Sequence, residues 1–410
     1  MSLRIAIIGS GIGGLTAAIL TARDGHRPTL FERFGKVLPL GSGLVIQPVG
    51  MAVLDHIGAG DEARLLSSPI TRMIGDEARS HARALDVRYP RGAPGRAFHR
   101  ASLFHLLWQG ANAAGVPVVT SAEVTHAPLD GAGRRIRLND GRDFGPFDLV
   151  IDASGARSAL SPLRARPLGY GAVWASVPWP KAATLPQDQL RQRYLAAHQM
   201  AGAMPIGRLP DDPAPMAAVF WSVAADRLAA WRATPLSEWK AGAMTLWPEL
   251  EPFLVGLTQH AHLTEAVYTH GTLRRPFDHA LVHIGDAAHR ASPQLGQGAN
   301  MALLDAFALS LALRQPLDDA LPDYAAMRRW HVRSYQMLSA MLTPMYQSDS
   351  RWLPVLRDRF LAPVSRLPGV SHLLTRLVAG YLTPPVAGHS AALRQPVSLR
   401  DQTRKAGSRV

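Results

Sequence analysis

The sequence predicts an α/β fold in two lobes, with helices finishing the chain. Three observations predict it. Residues 3–32 read as strand, glycine loop, helix and strand; residues 166–270 turn to proline, tryptophan and alternating apolar residues; residues 300–347 are long helical stretches.

The opening unit comes first. Leu3–Ile8 is an unbroken apolar run, the pattern of a parallel strand buried on both faces. Gly9-Ser10-Gly11-Ile12-Gly13-Gly14 follows and opens a helix reaching about Asp24. Gly25-His26 turns the chain into a second strand, Pro28–Glu32. In this GxGxxG loop Gly9 permits the tight turn, Gly11 lets backbone approach a pyrophosphate, and Gly14 lets helix and strand pack closely. The loop as a whole (Gly9, Gly11, Ile12, Gly13, Gly14) sits at a helix N-terminus, whose free N–H groups and dipole attract phosphate. Glu32 ends the second strand, where an acid can accept hydrogen bonds from ribose hydroxyls. These residues point to a dinucleotide and do not separate FAD from NAD.

The rest of the chain fits around that unit. Residues 40–50 suggest a strand and loop against a ligand, Met51–Gly58 a helix, and 72–97 strands broken by Pro and Gly. Arg100–Ala114 is an amphipathic helix. Val118–Val124, Ile136–Leu138 and Leu149–Ile151 read as strands of a meander returning to the first sheet, and Met216–Val223 alternates like an antiparallel strand. Leu281–Ile284 is a further buried strand, Asn300–Leu313 an apolar helix, 322–347 more helix, and 352–382 shorter helices broken by Pro354, Pro363 and Pro368. Arg394–Val410 is basic and poor in large apolar residues, so it reads as a disordered tail.

A second motif decides the cofactor. After Leu281–Ile284 come Gly285-Asp286-Ala287-Ala288-His289, then Pro293, then Gly296-Gln297-Gly298-Ala299-Asn300 and the apolar helix. Asp286 can accept hydrogen bonds from a ribityl chain, and the helix start can stabilise negative charge on a reduced ring. This stretch resembles the GD…P…GQGxN motif of class A FAD-dependent monooxygenases, the para-hydroxybenzoate hydroxylase-like group, and within it the ubiquinone-biosynthesis hydroxylase type. The resemblance implies that Asp286 binds the ribityl chain and that Pro293 lies beside the reacting edge of the flavin. It places the backbone of Ala299 and Asn300 at the pyrimidine end, with Gly298 beside them as a cofactor contact. It also marks Glu32 and Arg33 as cofactor contacts, Arg100 as the arginine that opens a helix beside the cofactor, and Val124 as a backbone contact to the adenine.

The third motif, Asp152-Ala153-Ser154-Gly155-Ala156-Arg157-Ser158, resembles the family's GADGxxS segment, which serves FAD and the nicotinamide cofactor. Ser154 stands where the family has Asp, with Asp152 two residues earlier as a substitute.

Composition narrows the rest. The chain has 410 residues, a net charge of +13 and no cysteine, so disulfides, thiolate metal sites and cysteine nucleophiles are excluded. The absence fits a reducing compartment such as the cytoplasm. No basic run is interleaved with aromatics, so no nucleic-acid partner is expected. His279 and His283 lie on a strand and its entry, about 13 Å apart, too far to share a metal ion, and no metal is expected. The C-terminal prolines, arginines and leucines leave peripheral membrane contact open.

The expected architecture is the para-hydroxybenzoate hydroxylase fold: a discontinuous FAD domain (1–71, 97–165, 271–325), a β-rich substrate lobe (72–96, 166–270), C-terminal helices (326–393) and the basic tail (394–410). The implied reaction is hydroxylation of an aromatic or other electron-rich apolar substrate with O2 and NADPH or NADH, through a flavin C4a-hydroperoxide. Asp286 and Pro293 are the residues expected to shape the reacting site. The alternatives are an FAD-dependent dehydrogenase or reductase without oxygen insertion, and a flavin-binding protein with a membrane-association role.

Overall fold

A computed structural model describes residues 2–36 and 42–394. A six-stranded sheet lies at its centre. Arg4–Ile8 pairs in parallel with Arg27–Phe31 on one side and Leu149–Asp152 on the other. Leu281–His283 extends the sheet beyond Leu149–Asp152, and Val118–Val119 extends it beyond Arg27–Phe31. The register aligns Ile8 with Phe31 and Asp152, and Asp152 with His283. Consequently Gly9–Gly14, Glu32, Ser154 and Gly285-Asp286 all emerge from the carboxyl edge of one sheet, the edge at which open α/β sheets bind ligands.

Two helices cover one face. Ile12–Arg23 and Gly298–Ala312 pack together, with Leu15, Ile19, Leu303 and Phe307 among the buried residues of the largest apolar core. Gly13 faces this contact, where a Cβ would touch Ala302 Cβ at 3.4 Å and Ile284 Cδ1 at 3.5 Å, ordinary packing distances.

The second large element is an eight-stranded sheet. It collects Arg72–Glu77 and Arg83–Arg88 with Arg166–Pro178, Gln189–Leu195, Gln199–Pro205, Met216–Ala224, Thr264–Thr272 and His289–Arg290. The alternation read from Met216–Val223 sorts its two faces. Ala217, Val219 and Val223 pack outward under the Leu228–Ala233 and Leu236–Leu246 helices with Trp231, Trp239 and Trp247. Ala218 and Phe220 point to the other face, with Trp174, Met204 and Ile206.

Two expectations need correction. Val118–Val124 is not one strand: Val118–Val119 joins the central sheet, whereas Val124–His126 pairs with Gly133–Leu138 in a separate four-stranded sheet. Ser121 between them has a left-handed backbone (φ +48°), which ends the first strand. The broken strands expected at 72–97 form, in two different sheets, and Gly95–Phe98 pairs with Leu44–Ile46 and Ser68–Ile70. The helices expected at Met51, Asn300 and 322 begin earlier, at Pro48, Gly298 and Leu317; in the first of them proline suits the first turn and adds helix where the apolar period has not begun. The tail expected at 394–410 lies, from residue 395 on, outside the described residues, as does part of the 40–50 loop.

Candidate functional site

Two helix N-termini open onto the carboxyl edge of the central sheet. The first is built by steric necessity. Gly9 takes φ +96°, and a Cβ on it would lie 2.8 Å from the Ala153 carbonyl oxygen. A Cβ on Gly14 would lie 1.9 Å from the Gly9 oxygen. Gly11 differs: a Cβ there would meet nothing within 4 Å, so its side of the loop is open. The Ile12–Arg23 helix has no side-chain cap, and the N–H groups of Ile12, Gly13 and Gly14 have no partner among the described residues. An open glycine beside unpartnered N–H groups is the space a pyrophosphate fills.

Glu32 is buried at the end of its strand. One carboxylate oxygen accepts from the Ser10 N–H at 3.0 Å and from the Ser10 hydroxyl; the other accepts from the Phe34 N–H at 3.1 Å. It therefore fastens the glycine loop to the second strand, and the second oxygen keeps lone-pair capacity for a hydroxyl. Arg33, half-buried, lays its guanidinium over the Phe34 ring at 4.6 Å. Val124 is buried among Ile8, Phe31 and Leu138, beneath the same edge.

The second N-terminus belongs to Gly298–Ala312, again without a side-chain cap, and the N–H groups of Gly298, Ala299 and Asn300 have no partner among the described residues. Its position is set by Asn300, which is fully buried. Asn300 Oδ1 accepts from the Gln47 N–H at 2.8 Å, and its Nδ2 donates to the Gly296 carbonyl at 2.9 Å. The Asn300 side chain thus positions the loop and has no polar atom left over for a ligand. Gly298 is exposed, and a Cβ on it would meet nothing within 4 Å. Pro293 is exposed at the start of a short 3-10 turn.

Asp286 lies between the two ends. Its side chain has open surface, yet it sits deep inside the protein envelope, and a cleft wall reconciles both facts. Burial raises its carboxyl above the usual range, against the pull of His289, Arg100 and Arg290. Burial likewise lowers Arg100, opposed by Asp286, so the two residues share one cleft. Arg100 Nε reaches the Ser42 carbonyl at 3.4 Å. A small cavity of about 40 Å³ opens beside Asp286, Ser292, Gly298 and Met301.

Behind this wall is a buried charge network that the motifs did not indicate. Asp305 Oδ2 accepts from the Gly285 N–H at 2.9 Å and lies 2.7 Å from His289 Nε2; Oδ1 accepts from Arg328 Nε at 2.8 Å. Burial disfavours the Asp305 anion, but His289 and Arg328 outweigh it and hold the carboxyl well below the usual range. Arg328 Nη1 donates to His331 Nδ1 at 3.3 Å, and His331 Nε2 faces the Gly380 carbonyl at 3.0 Å. Asp305 is an acid inside an otherwise apolar helix, and burial of such a residue requires a partner; that was the signal available in the sequence.

The third motif sits at the same edge but behaves differently from expectation. Asp152 is fully buried and cannot stand in for the family's Asp at Ser154. Its carboxylate is occupied by the Ser154 hydroxyl at 2.5 Å, the Ser158 hydroxyl at 2.6 Å and His283 Nδ1 at 2.7 Å. Burial opposes its charge, yet these bonds hold it below the ordinary carboxylate range. Ser158 is structural, since its oxygen also accepts from the Leu160 and Ser161 N–H groups. Arg157 is exposed.

This geometry suits an extended cofactor with a phosphate middle, and known proteins point the same way. The family model described as "FAD binding domain" matches residues 2–207 and 253–335. The chain belongs to this family, the FAD-binding class A monooxygenases. The monooxygenase is 28% identical to the 2-heptyl-3-hydroxy-4(1H)-quinolone synthase of Mycobacteroides abscessus, over 76% of this chain and 82% of the relative. It is 28% identical to the FAD-dependent urate hydroxylase of Klebsiella pneumoniae, over 81% of this chain and 87% of the relative. Its fold is similar to that of Klebsiella pneumoniae HpxO, solved with FAD and uric acid: TM-score 0.75, 23% identity, 93% of this chain and 98% of that one.

Proposed function

We propose that this FAD-dependent monooxygenase hydroxylates an electron-rich aromatic molecule, using O2 and NADPH or NADH, between the Asp286–Asn300 wall and the inner face of the eight-stranded sheet. One observation carries the substrate class: that face presents aromatic side chains. Trp174 packs on Phe220 at 4.5 Å between ring centroids and donates its indole N–H to the Tyr268 hydroxyl at 3.0 Å. The face also packs toward the cofactor side. A Cβ on Gly43 would meet Ile206 and Ala218, and Tyr89 donates to Gln47 at 2.6 Å, next to the Gln47–Asn300 bond. The relatives named for quinolone and urate chemistry are consistent with a flat heteroaromatic substrate.

FAD, when bound, supplies the two-electron chemistry and the activation of O2. The chain's residues hold and orient it. The open N–H groups at Gly11–Gly14 take the pyrophosphate, Glu32 and Arg33 the adenosine ribose side, and Val124 the adenine. Arg100 and Asp286 flank the ribityl region. The N–H groups of Gly298, Ala299 and Asn300 stabilise negative charge at the pyrimidine end. Pro293 carries no N–H and shapes the wall without competing for hydrogen bonds. Arg208, half-buried and without an ion pair among the described residues, is the group available to an anionic substituent. Residues 72–96 and 166–270 form the substrate lobe in this reading, and the cytoplasm is the compartment that suits a cysteine-free enzyme using a nicotinamide reductant.

The test is isotopic. Protein reduced anaerobically with NADPH or NADH is mixed with labelled O2 and a panel of hydroxylated heteroaromatics. One labelled oxygen atom in the product is the expected result. Hydrogen peroxide with unlabelled aromatics across the panel would contradict the proposal in favour of a reductase.

A further inference from the structure

We propose that residues 351–373 seat the protein on the surface of an anionic lipid bilayer. The helical run from Leu353 to Val364 is inverted relative to an ordinary surface helix. Its inward side carries an arginine. Arg357 is fully buried, donates to the Ala196 and Met345 carbonyls at 3.0 Å each, and stacks against the rings of Tyr194 and Tyr346. Its outward side is apolar. Trp352, Leu356, Phe360 and Val364 recur every four residues, a spacing that keeps them on one stripe, and Leu367 continues it. Trp352 is 82% exposed, Phe360 62% and Leu367 56%. The stripe is therefore held in place from below and offered to solvent, not loosely folded.

Charge identifies the occupant. Arg351, Arg359 and Arg366 flank the stripe, exposed and without ion pairs among the described residues. The one acid between residues 351 and 376, Asp358, is neutralised by Arg357 at 2.6 Å. In sequence, residues 394–410 add five Lys or Arg against one Asp. A protruding Trp, Phe and Leu row rimmed by unpaired arginines fits the boundary between headgroups and acyl chains, with attraction to anionic headgroups adding to burial of the row. A second copy of this chain would bring the same arginines together and repel.

The experiment is co-sedimentation of the holoenzyme with vesicles of phosphatidylcholine alone, or with one part in three phosphatidylglycerol. The expected result is binding at least about tenfold stronger to the anionic vesicles, weakened by high salt. Trp352→Gln, Phe360→Gln and Leu367→Gln combined should lose that binding while FAD content and NAD(P)H oxidation stay at the wild-type level. Arg351→Glu, Arg359→Glu and Arg366→Glu combined should lose the lipid preference. A chain ending at residue 394 should retain most of the binding. The proposal is overturned if wild-type protein does not sediment with anionic vesicles, if the triple glutamine variant binds as well as wild type, if removal of the tail alone abolishes binding, or if sedimentation equilibrium shows a dimer that the glutamine variant dissociates in the absence of any lipid binding.

Discussion

The two glycine-rich turns of the cofactor cleft do similar work and are fixed by different forces. Gly9–Gly14 is fixed by sterics: Gly9 and Gly14 leave no room for a side chain, and Glu32 ties the loop down through Ser10. Gly285–Asn300 is fixed by polar side chains, its own and those of later helices: Asp305 holds the Gly285 N–H, Arg328 and His289 hold Asp305, and Asn300 joins the helix start to the Gln47 backbone. The first turn should therefore respond above all to added volume. The second should respond to lost charge and to acid.

The largest effect is expected from Gly14→Ala. The new methyl group would collide with backbone that cannot swing away, and the cost should be about 4 kcal/mol or more, the range reserved for broken cores and strained backbone. Thermal unfolding of the variant, with its FAD content, measures this; a wild-type melting temperature would break the steric half of the comparison.

Asp305→Asn should come next, at about 3–5 kcal/mol, because it leaves Arg328 as a buried charge without its counter-ion. Urea unfolding reads the loss. Asp305→Asn combined with Arg328→Met should recover part of it, since the unpaired cation is then gone. No recovery would mean that the pair matters for its shape and not its charge.

Acid sharpens the contrast further. Burial and Arg328 push His331 down to about 3, so it is neutral in the folded protein. In the unfolded chain a histidine takes up its proton at roughly pH 6.5, so the unfolded state binds more protons below that point. The stability His331 contributes is thus complete above about pH 6.5 and is lost as pH falls toward its folded value, by about 1.4 kcal/mol per pH unit. His331→Gln should flatten that part of the stability–pH curve. An unchanged slope would place the acid sensitivity elsewhere.

Ser154→Ala should have the smallest effect, about 1–2 kcal/mol. Asp152 would lose one hydrogen bond but keep Ser158 and His283. Urea unfolding measures it, and a loss as large as that of Asp305→Asn would show that Asp152 depends on Ser154 far more than its other partners suggest.

The same contrast explains what could be read in the sequence. Sterically fixed features leave local marks: glycines at fixed offsets, an apolar strand before them, an acid at the next strand end. The βαβ unit and the alternating Met216–Val223 strand were legible on those grounds. The Asp305–Arg328 pair was not, because its members are 23 positions apart on different helices and no period links them. Arg357 was equally hidden; nothing local says that this arginine points inward while Phe360 points out. Asp152 misled for a related reason, since a carboxylate two residues from the expected place looks equivalent until the register puts it inside the sheet.

The most direct test of the two-ended cleft is an equilibrium titration of apoprotein with FAD and with ADP, for wild type, Gly11→Ala and Asp286→Ala. A Cβ at Gly11 meets no protein atom within 4 Å, so that variant should fold normally and yet bind both ligands at least about tenfold more weakly. Asp286→Ala should weaken FAD by a similar factor and leave ADP unchanged. If Asp286→Ala left FAD affinity intact, or weakened ADP equally, the assignment of the Gly285–Asn300 wall to the flavin end of the cofactor would be wrong.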